Sequence, residues 1–243
     1  MSDDGPPVVP AESAAEPPDD GGDSSVFGVI LAAGTSSRFG DENKLLAEIR
    51  GERLVRRAVR TMLGTDPGTL AGVIVVLGHE AATVREALAG VDASADAAAS
   101  ANADASADAD ASANLDVTFV ENPDHRAGQS TSVRAGVDAV ADAGGDAAVF
   151  LPGDMPFVAP ETVERLVAAY RADAGSAIAA AYHGRRGNPV LFDERHFDAL
   201  RAVDGDTGGR AVLLESGGGI LLDVADAGVR TDVDTAEDLD RHG

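Results

Sequence analysis

The stretch VFGVILAAGTSSRFGDENKLL, residues 26–46, decides how this chain folds. Residues 26–32 are apolar and β-prone, and Gly34 allows the tight backbone turn that must follow a strand. Arg38 and Lys44 add two cations, and Lys44 is the only lysine among the 19 lysine and arginine residues of the chain. A glycine-rich loop with cations after a strand is typical of an anion site, and we expect it to bind the phosphates of a nucleotide. A strand-to-helix turn with an incidental lysine is the alternative.

Two standard glycine motifs are absent from this stretch. The loop lacks the GxxxxGK[ST] spacing of a Walker phosphate loop and the GxGxxG spacing of a dinucleotide-binding turn. The predicted phosphate site is therefore of another type.

Composition limits the class of protein. The chain has 243 residues, 44% of them hydrophobic, and no cysteine. The absence of cysteine excludes disulfides, a thiolate metal site and a cysteine nucleophile. No apolar run approaches the ~20 residues of a membrane span, and the first residues are acidic rather than typical of a secretory signal. We expect a cytoplasmic protein that binds neither nucleic acid nor a membrane.

The net charge of −23 is the second unusual property of the composition. Residues 1–25 and 90–114 contain no lysine or arginine, but the rest of the chain is still acidic. Acidic excess, arginine in place of lysine, and abundant Ala, Asp and Gly predict a halophilic protein, because molar salt screens charges beyond ~3 Å. An ordinary acidic protein is the alternative.

Two segments are expected to carry no chemistry. Residues 1–25 are rich in Pro, Gly and acidic residues, which predicts a disordered acidic tail. An Ala/Asp/Ser insertion at about 91–114 predicts an expanded surface loop. Residues 26–243 are then a single catalytic domain that contains this insertion.

The remaining sequence alternates strands and helices, which predicts an α/β fold with three α/β/α layers. The sheet should be Rossmann-like, mixed but mostly parallel, with about seven strands, because several apolar runs are continuous and fit strands buried on both faces. Strands are expected near 26–32, 72–77, 116–121, 147–151, 176–182, 188–192 and 219–224, and helices near 53–63, 80–89, 130–142, 160–172, 194–202 and 208–215.

The segment LPGDMPFV, residues 151–158, directly follows a predicted strand. Asp154 should therefore lie at the carboxyl end of that strand, where ligands bind in open sheets of this kind. One carboxylate in such a position suits Mg²⁺, or Mn²⁺, which completes its coordination with phosphate and water. Capping of the helix that begins near Pro160 is the alternative.

Three further sets of polar residues have both a functional and a structural interpretation. Asp232 and Asp234 share a face if TDVDT is extended, but Asp234 could equally cap the helix TAEDLDR, which the spacing alone favours. Ser130 and Ser132 in AGQSTSVRAG could cap a helix or hold a ribose or a base. His79, after VIVVLG, is a solvated loop histidine or a nucleotide contact.

Taken in order, these segments resemble the molybdenum cofactor cytidylyltransferase family. The segments are LAAGTSSRFG with KLL, VVLGHE, ENPDHRAGQSTSVRAGV, LPGDMPFV, GRRGNPVLF, GDTGGRAVLL and DVDTAEDL. The family consists of MobA-like NTP transferases with the glycosyltransferase-A type nucleotidyltransferase fold, also called the nucleotide-diphospho-sugar transferase type. The resemblance implies transfer of CMP from CTP to the phosphate of molybdopterin, with release of pyrophosphate.

The resemblance also implies roles for individual residues. Asn188 stands where the family often has histidine. Nucleotide binding is implied for Ala32, Ala33, Gly34, Arg38, Lys44, His79, Gln129, Ser130 and Ser132, catalysis for Lys44, Arg38 and Asp154, metal binding for Asp154 and Asp234, and acceptor binding for Gly187, Asn188, Pro189, Gly208 and Arg210.

Other functions remain open from the sequence. A guanylyltransferase or a sugar-phosphate nucleotidyltransferase would use the same phosphate loop. A non-catalytic chaperone that carries a finished cofactor to a molybdoenzyme is an alternative of another class.

Overall fold

An eight-stranded, mostly parallel sheet is the central layer of the computed structural model. The structure describes residues 5–13, 24–36, 39, 43–91, 115–205 and 208–242. Within these residues the strands are β1 (Val8–Pro10), β2 (Val26–Ala32), β3 (Glu48–Ile49), β4 (Glu52–Arg53), β5 (Gly72–Leu77), β6 (Val117–Glu121), β7 (Ala147–Pro152), β8 (Ala177–Tyr182), β9 (Arg185–Asp193) and β10 (Gly219–Asp223).

The strand order in the sheet is β1-β10-β8-β9-β7-β2-β5-β6. β9 runs antiparallel to both of its neighbours, β7 and β8, and the other pairs are parallel. β3 and β4 form a separate antiparallel pair. The carboxyl ends of β2, β5 and β7 therefore meet at one edge of the sheet, and β9 begins at that same edge.

Helices cover both faces of the sheet and bury its alternating side chains. They are α1 (Leu54–Leu63), α2 (Ala81–Ala87), α3 (Gln129–Asp142), α4 (Pro160–Arg171), α5 (Phe197–Ala202), α6 (Arg210–Glu215) and α7 (Ala236–His242). Ile30 of β2 belongs to a core with α1, α2 and α4, whereas its neighbour Val29 belongs to a core with α3, α5 and α6. This two-sided burial explains the continuous apolar runs of the strands.

A close helix–sheet contact fixes the depth at which α3 lies. A Cβ atom added to Gly136 of α3 would come within 2.7 Å of the Val29 Cγ1 atom of β2. Glycine therefore lets the helix approach the strand directly. The first turn of α3 lies at the carboxyl edge of the sheet because of this packing.

The expected α/β architecture is confirmed, with one additional strand in the central sheet. Val8–Pro10 pairs in parallel with β10, so for these residues the expected disordered tail is replaced by a short edge strand. β10 offers an unpaired edge, and three residues suffice to cover part of it. Residues 1–4 and 14–23, Arg38 and all but the first residue of the insertion at about 91–114 lie outside the described residues.

The bounds of two other elements differ from the expectation. β9 begins at Arg185, before the expected 188, and the helix expected over 194–202 consists of a 3₁₀ turn, Glu194–His196, followed by α5. Among the helices of the described ranges, none is both long and apolar enough to cross a membrane.

Candidate active site

A cleft of about 530 Å³ opens at the carboxyl edge of the sheet, beside β2 and β7. Its walls come from the loop after β2, the turn after β7, the segment before α7 and the first turn of α3. The lining residues include Ala33, Gly34, Thr35, Ser36, Lys44, His125, Arg126, Gly128, Gln129, Ser132, Asp154 and Asp234. Most residues of the predicted nucleotide site are thus brought together here.

The side chain of Lys44 bridges the two predicted metal ligands. Its Nζ atom lies 2.5 Å from Oδ2 of Asp154 and 2.6 Å from Oδ1 of Asp234. The Lys44 side chain is only 14% exposed, so solvent screens these contacts weakly. The bridge unites residues from three distant parts of the chain.

Hydrogen bonds of the loop after β2 hold Lys44 at this point. The backbone amide of Lys44 donates to the hydroxyl oxygen of Ser36 at 3.0 Å. Ser36 itself has a positive φ of 54°, in the left-handed region that few residues other than glycine adopt. The side-chain oxygen of Asn43 accepts from the amide of Leu45, whose side chain is buried. The loop is therefore anchored on both sides of the lysine.

The alternative role of Asp234 as a helix cap is resolved by its neighbours. The hydroxyl oxygen of Thr235 accepts from the amide of Asp238 at 3.2 Å, and Oδ2 of Asp238 accepts from the amide of Thr235 at 3.0 Å. This reciprocal pair is a capping box at the start of α7. The expectation from spacing that Asp234 caps the helix is therefore wrong, because Thr235 performs that task and Asp234 faces Lys44.

Asp154 does not cap α4 either. The carboxylate of Asp226 accepts from the amide of Ala159 at 2.9 Å and from the hydroxyl of Thr162 at 2.8 Å, at the beginning of that helix. Asp154 instead lines the cleft.

The carboxylates around Lys44 favour its protonated, positively charged form. Burial alone would lower the pKa of Lys44, but the attraction of Asp154 and Asp234 and the hydrogen bonds to both raise it above its ordinary value. The pKa of Asp232 is raised, by loss of hydration and by the charges of Asp234 and Asp154. Lys44 is therefore protonated at neutral pH.

The opposite wall of the cleft is built on Asn122. The Asn122 amide donates to the hydroxyl of Ser132 at 3.0 Å, and the backbone carbonyl of Asn122 lies 3.1 Å from Nδ1 of His125. Because a carbonyl only accepts, Nδ1 of His125 carries the proton. Gln129 lies at the first position of α3, beside Ser132. Ser130 is buried, and its amide donates to the carbonyl of Gly205.

Three of the predicted nucleotide contacts, Ala32, His79 and Ser130, stand apart from the cleft lining. Ala32 is fully buried in the sheet, and His79 lies beyond the lining, its ring 6.3 Å from that of His125. His125 was not among the sequence candidates. The signal that could have found it is its position in the loop between β6 and α3, which ends at the same edge as the phosphate loop.

A second cavity of about 370 Å³ adjoins the cleft and shares Leu31, Gln129 and Pro152 with it. Of the predicted acceptor residues, Asn188, Gly208 and Arg210 line this cavity, and the structure adds Arg186. The floor is apolar and includes Phe150 and Phe192, whose rings are 6.2 Å apart in an edge-to-face arrangement.

The other two predicted acceptor residues support the wall rather than line it. A Cβ atom at Gly187 would collide with the carbonyl oxygen of Val229. Glycine is therefore needed here for close packing on the segment before α7. Pro189 follows Asn188 within β9.

The charged residues that line the second cavity, within the described ranges, are both arginines. Arg186 and Arg210 both line it, and neither pairs with a carboxylate of the described residues. Loss of hydration and the charge of Arg210 lower the pKa of Arg186, so the two guanidinium groups repel each other. Two cations without a carboxylate partner among the described residues, in a chain of net charge −23, indicate a site for an anion.

The carboxylate pair fits a hard divalent cation. Carboxylate oxygens are the ligands that Mg²⁺ and Mn²⁺ prefer, and the Lys44 ammonium already shows that a cation is accepted between Asp154 and Asp234. Over the described part of the chain, no group of three or more His, Cys, Asp or Glu side chains forms a complete metal site. Such an ion would need phosphate oxygens and water to complete its coordination.

The chain is similar to known proteins over most of its length. A family model described as the MobA-like NTP transferase domain matches residues 28–219. The nicotine blue oxidoreductase of Paenarthrobacter nicotinovorans is 34% identical over 225 residues, which cover 89% of this chain and 95% of that protein.

Solved structures with the same fold cover nearly the whole chain. Rv0371c from Mycobacterium tuberculosis H37Rv is 26% identical, with a TM-score of 0.65 and coverage of 90% of this chain and 97% of that one. A structure of the same protein in complex with manganese has a TM-score of 0.62. A nucleotidyl transferase from Methanothermobacter is 25% identical, with a TM-score of 0.66 and coverage of 89% and 95%.

Proposed function

Because the chain belongs to the MobA-like NTP transferase family, we propose that it transfers CMP from CTP to the phosphate of molybdopterin or molybdenum cofactor and releases pyrophosphate. The observation that carries this proposal is the contact of Lys44 with Asp154 and Asp234 beside the Gly34 loop. This arrangement supplies one cation and two carboxylates at the edge where phosphates would enter, which is what nucleotidyl transfer requires.

On the nucleotide side, the triphosphate binds in the cleft after β2. Backbone amides of the Gly34 loop face the phosphates, and Lys44 neutralises negative charge that develops at the α-phosphate. Arg38, which lies outside the described residues, grips the departing β- and γ-phosphates. Gln129 and Ser132 contact the cytidine from the opposite wall.

On the acceptor side, the second cavity holds a phosphorylated molecule with a flat body. Arg186 and Arg210 bind the phosphate, since guanidinium groups pair with phosphate oxygens through two parallel hydrogen bonds. Phe150 and Phe192 offer an apolar floor to the rest of the acceptor. The side-chain amides of Asn188 and Gln129 can form hydrogen bonds with polar atoms of the acceptor.

The chemistry is an in-line displacement. An acceptor phosphate oxygen attacks the α-phosphorus, the bond to the β-phosphate breaks, and pyrophosphate leaves without a covalent enzyme intermediate. The common wall of the two cavities, which includes Gln129, brings the two substrates next to each other. A divalent metal held by Asp154 and Asp234, Mg²⁺ or Mn²⁺, supplies neutralisation of phosphate charge when bound.

The direct test is release of pyrophosphate. The protein is incubated with each of the four NTPs, Mg²⁺ and molybdopterin, and pyrophosphate is measured alongside thermal shifts for each NTP. We expect CTP to give the largest shift and the fastest release. GTP as the preferred nucleotide, or a sugar phosphate as the preferred acceptor, would identify one of the other nucleotidyltransferases. Cofactor binding without pyrophosphate release would identify a chaperone for a molybdoenzyme.

A second candidate comes from the relative named nicotine blue oxidoreductase, whose sequence matches almost end to end. The observation that favours it is the apolar floor of the second cavity, which fits a flat pigment as well as a pterin. Reduction of nicotine blue requires no NTP and no Lys44 bridge. Oxidation of a nicotinamide cofactor by the protein with nicotine blue, without pyrophosphate release from any NTP, would favour this candidate over nucleotidyl transfer.

A further inference from the structure

We propose that the ammonium of Lys44 is the resident cation of the carboxylate pair, so that a divalent metal binds only when a nucleotide draws Lys44 away. The proposal rests on the proposed function for the identity of the nucleotide. It concerns how the metal enters, and it predicts that metal and nucleotide bind together rather than in independent steps.

The geometry shows why the two cations exclude each other. Nζ of Lys44 lies 2.5 Å from one carboxylate oxygen and 2.6 Å from the other. A metal ion bound to both Asp154 and Asp234 would sit about 2.1 Å from an oxygen of each, so it would occupy almost the same point. Two positive charges that close together in a weakly solvated cleft repel strongly. The metal must therefore displace the ammonium.

Displacement by the metal alone is unfavourable, because Lys44 loses two charge-assisted hydrogen bonds and gains none. A triphosphate changes this balance, since its oxygens offer the ammonium new partners in the same cleft. The lysine can make this move: its four-carbon stem is flexible, while its backbone amide stays bound to Ser36. Nucleotide and metal then increase each other's affinity by the same factor, as linkage requires.

The alternative is a fixed structural ion pair, in which Lys44 stays on the carboxylates throughout. The two possibilities differ in what happens when the lysine is removed. If Lys44 competes with the metal, a neutral side chain removes that competition and metal affinity rises. If the ion pair only supports the fold, removing the lysine leaves metal affinity unchanged.

The experiment measures Mn²⁺ binding without nucleotide, from the electron paramagnetic resonance signal of free Mn²⁺, at fixed ionic strength. Lys44→Met should bind Mn²⁺ at the cleft about tenfold tighter than wild type, because one competing charge is gone. Lys44→Arg keeps the cation and should show no gain. Adding Asp234→Asn to Lys44→Met should abolish the gain.

Arg201→Met is the matched control for the change in net charge. The Arg201 guanidinium also lies between two aspartates, 2.8 Å from Asp138 and 2.9 Å from Asp198, but on the exposed surface. Its removal should change Mn²⁺ affinity less than twofold, since surface ion pairs are weak. If Lys44→Met does not fold, Lys44→Gln provides the same comparison with a polar side chain.

In a second arm, CTP is added. We expect CTP to raise the Mn²⁺ affinity of wild type by about tenfold or more, and that of Lys44→Met by a smaller factor. Equal Mn²⁺ affinity of wild type and Lys44→Met without nucleotide would overturn the proposal. The first arm contains no nucleotide, so a protein that releases no pyrophosphate from CTP contradicts the proposed function without affecting that result.

Discussion

The backbone amide of Val233 donates a hydrogen bond to the carbonyl oxygen of Asp154, with 3.0 Å between the two atoms. This bond ties the segment before α7 to the turn after β7. It explains how Asp234, close to the end of the chain, reaches a lysine in the loop after β2. The site therefore depends on the segment before α7 as much as on the glycine-rich loop after β2.

The two carboxylates that contact Lys44 are the first positions to test. Asp154→Asn and Asp234→Asn should each reduce metal-dependent pyrophosphate release at least about 100-fold, because an amide is a poor ligand for a hard cation. Asp232→Asn is the matched control and should stay within about threefold of wild type, because its carboxylate lies outside the cleft lining. Wild-type metal binding by both of the first two variants would contradict their role as ligands.

Lys44→Ala should lower kcat by about 100-fold or more, the scale of one lost electrostatic contact to the transition state. The sequence alone predicts an unchanged melting temperature. The structure alters that expectation, because the variant removes the ammonium that lies between the carboxylates of Asp154 and Asp234. We expect a lower melting temperature that Mn²⁺ restores. Activity within threefold of wild type would remove Lys44 from the mechanism.

The two arginines of the second cavity should affect the acceptor and not the nucleotide. Arg186→Gln and Arg210→Gln should each raise the KM for the phosphorylated acceptor about tenfold, since each removes a charged partner of its phosphate. The KM for CTP should not change. Arg185→Gln is the control, because Arg185 is adjacent in β9 and as exposed as Arg186 but lies outside the cavity lining. An equal effect of Arg185→Gln would show that general charge, not this site, governs acceptor binding.

The capping box of α7 should contribute to stability. Thr235→Ala removes the hydroxyl that accepts from Asp238 and should lower the free energy of unfolding by about 1 kcal/mol. Thr235→Ser keeps a hydroxyl and should retain most of the wild-type stability. Thr231→Ala is the comparison, because the Thr231 hydroxyl donates to the carbonyl of Ala227 at an exposed turn. This substitution should lower the free energy of unfolding by less. Denaturant unfolding measures all three, and equal losses for Thr235 and Thr231 would argue against the cap.

Salt dependence tests the interpretation of the net charge of −23. If the protein is halophilic, its melting temperature and its affinity for CTP should both rise between ~0.1 M and ~2 M KCl, because screening relieves self-repulsion and repulsion of the triphosphate. In an ordinary acidic protein, salt would instead weaken the contacts of Lys44 and Arg38 with phosphate. Tightest CTP binding at low salt would exclude the halophilic interpretation.

Much of the fold and the centre of the site follow from sequence alone, because both depend on local patterns. Continuous apolar runs mark strands buried on both faces, and Asp154 follows one of them directly. Parallel strands bring their carboxyl ends to one edge, so the meeting of Asp154 with the Lys44 loop follows from the alternation of strands and helices. Residues at the ends of strands are in this sense predictable.

The rest depends on tertiary context that the sequence does not display. Arg186 lies inside a strand, and its position at the ligand edge follows only once that strand is known to run in reverse. Val8 and its neighbours become a strand because β10 has a free edge. The cap of α7 is an exception, since Thr235 and Asp238 already have the spacing of a capping box in the sequence.

The reversed direction of β9 has a consequence for how acceptor preference can change. Val190 and Phe192 of β9 line the second cavity from the part of the strand that is paired with both β7 and β8, whereas loops form most of the nucleotide cleft. A loop tolerates insertions, but a one-residue insertion in a strand paired on both sides would turn every following side chain to the opposite face. Relatives with other acceptors should therefore differ from this chain in side-chain identity along β9, at constant length, and vary in length around the nucleotide instead.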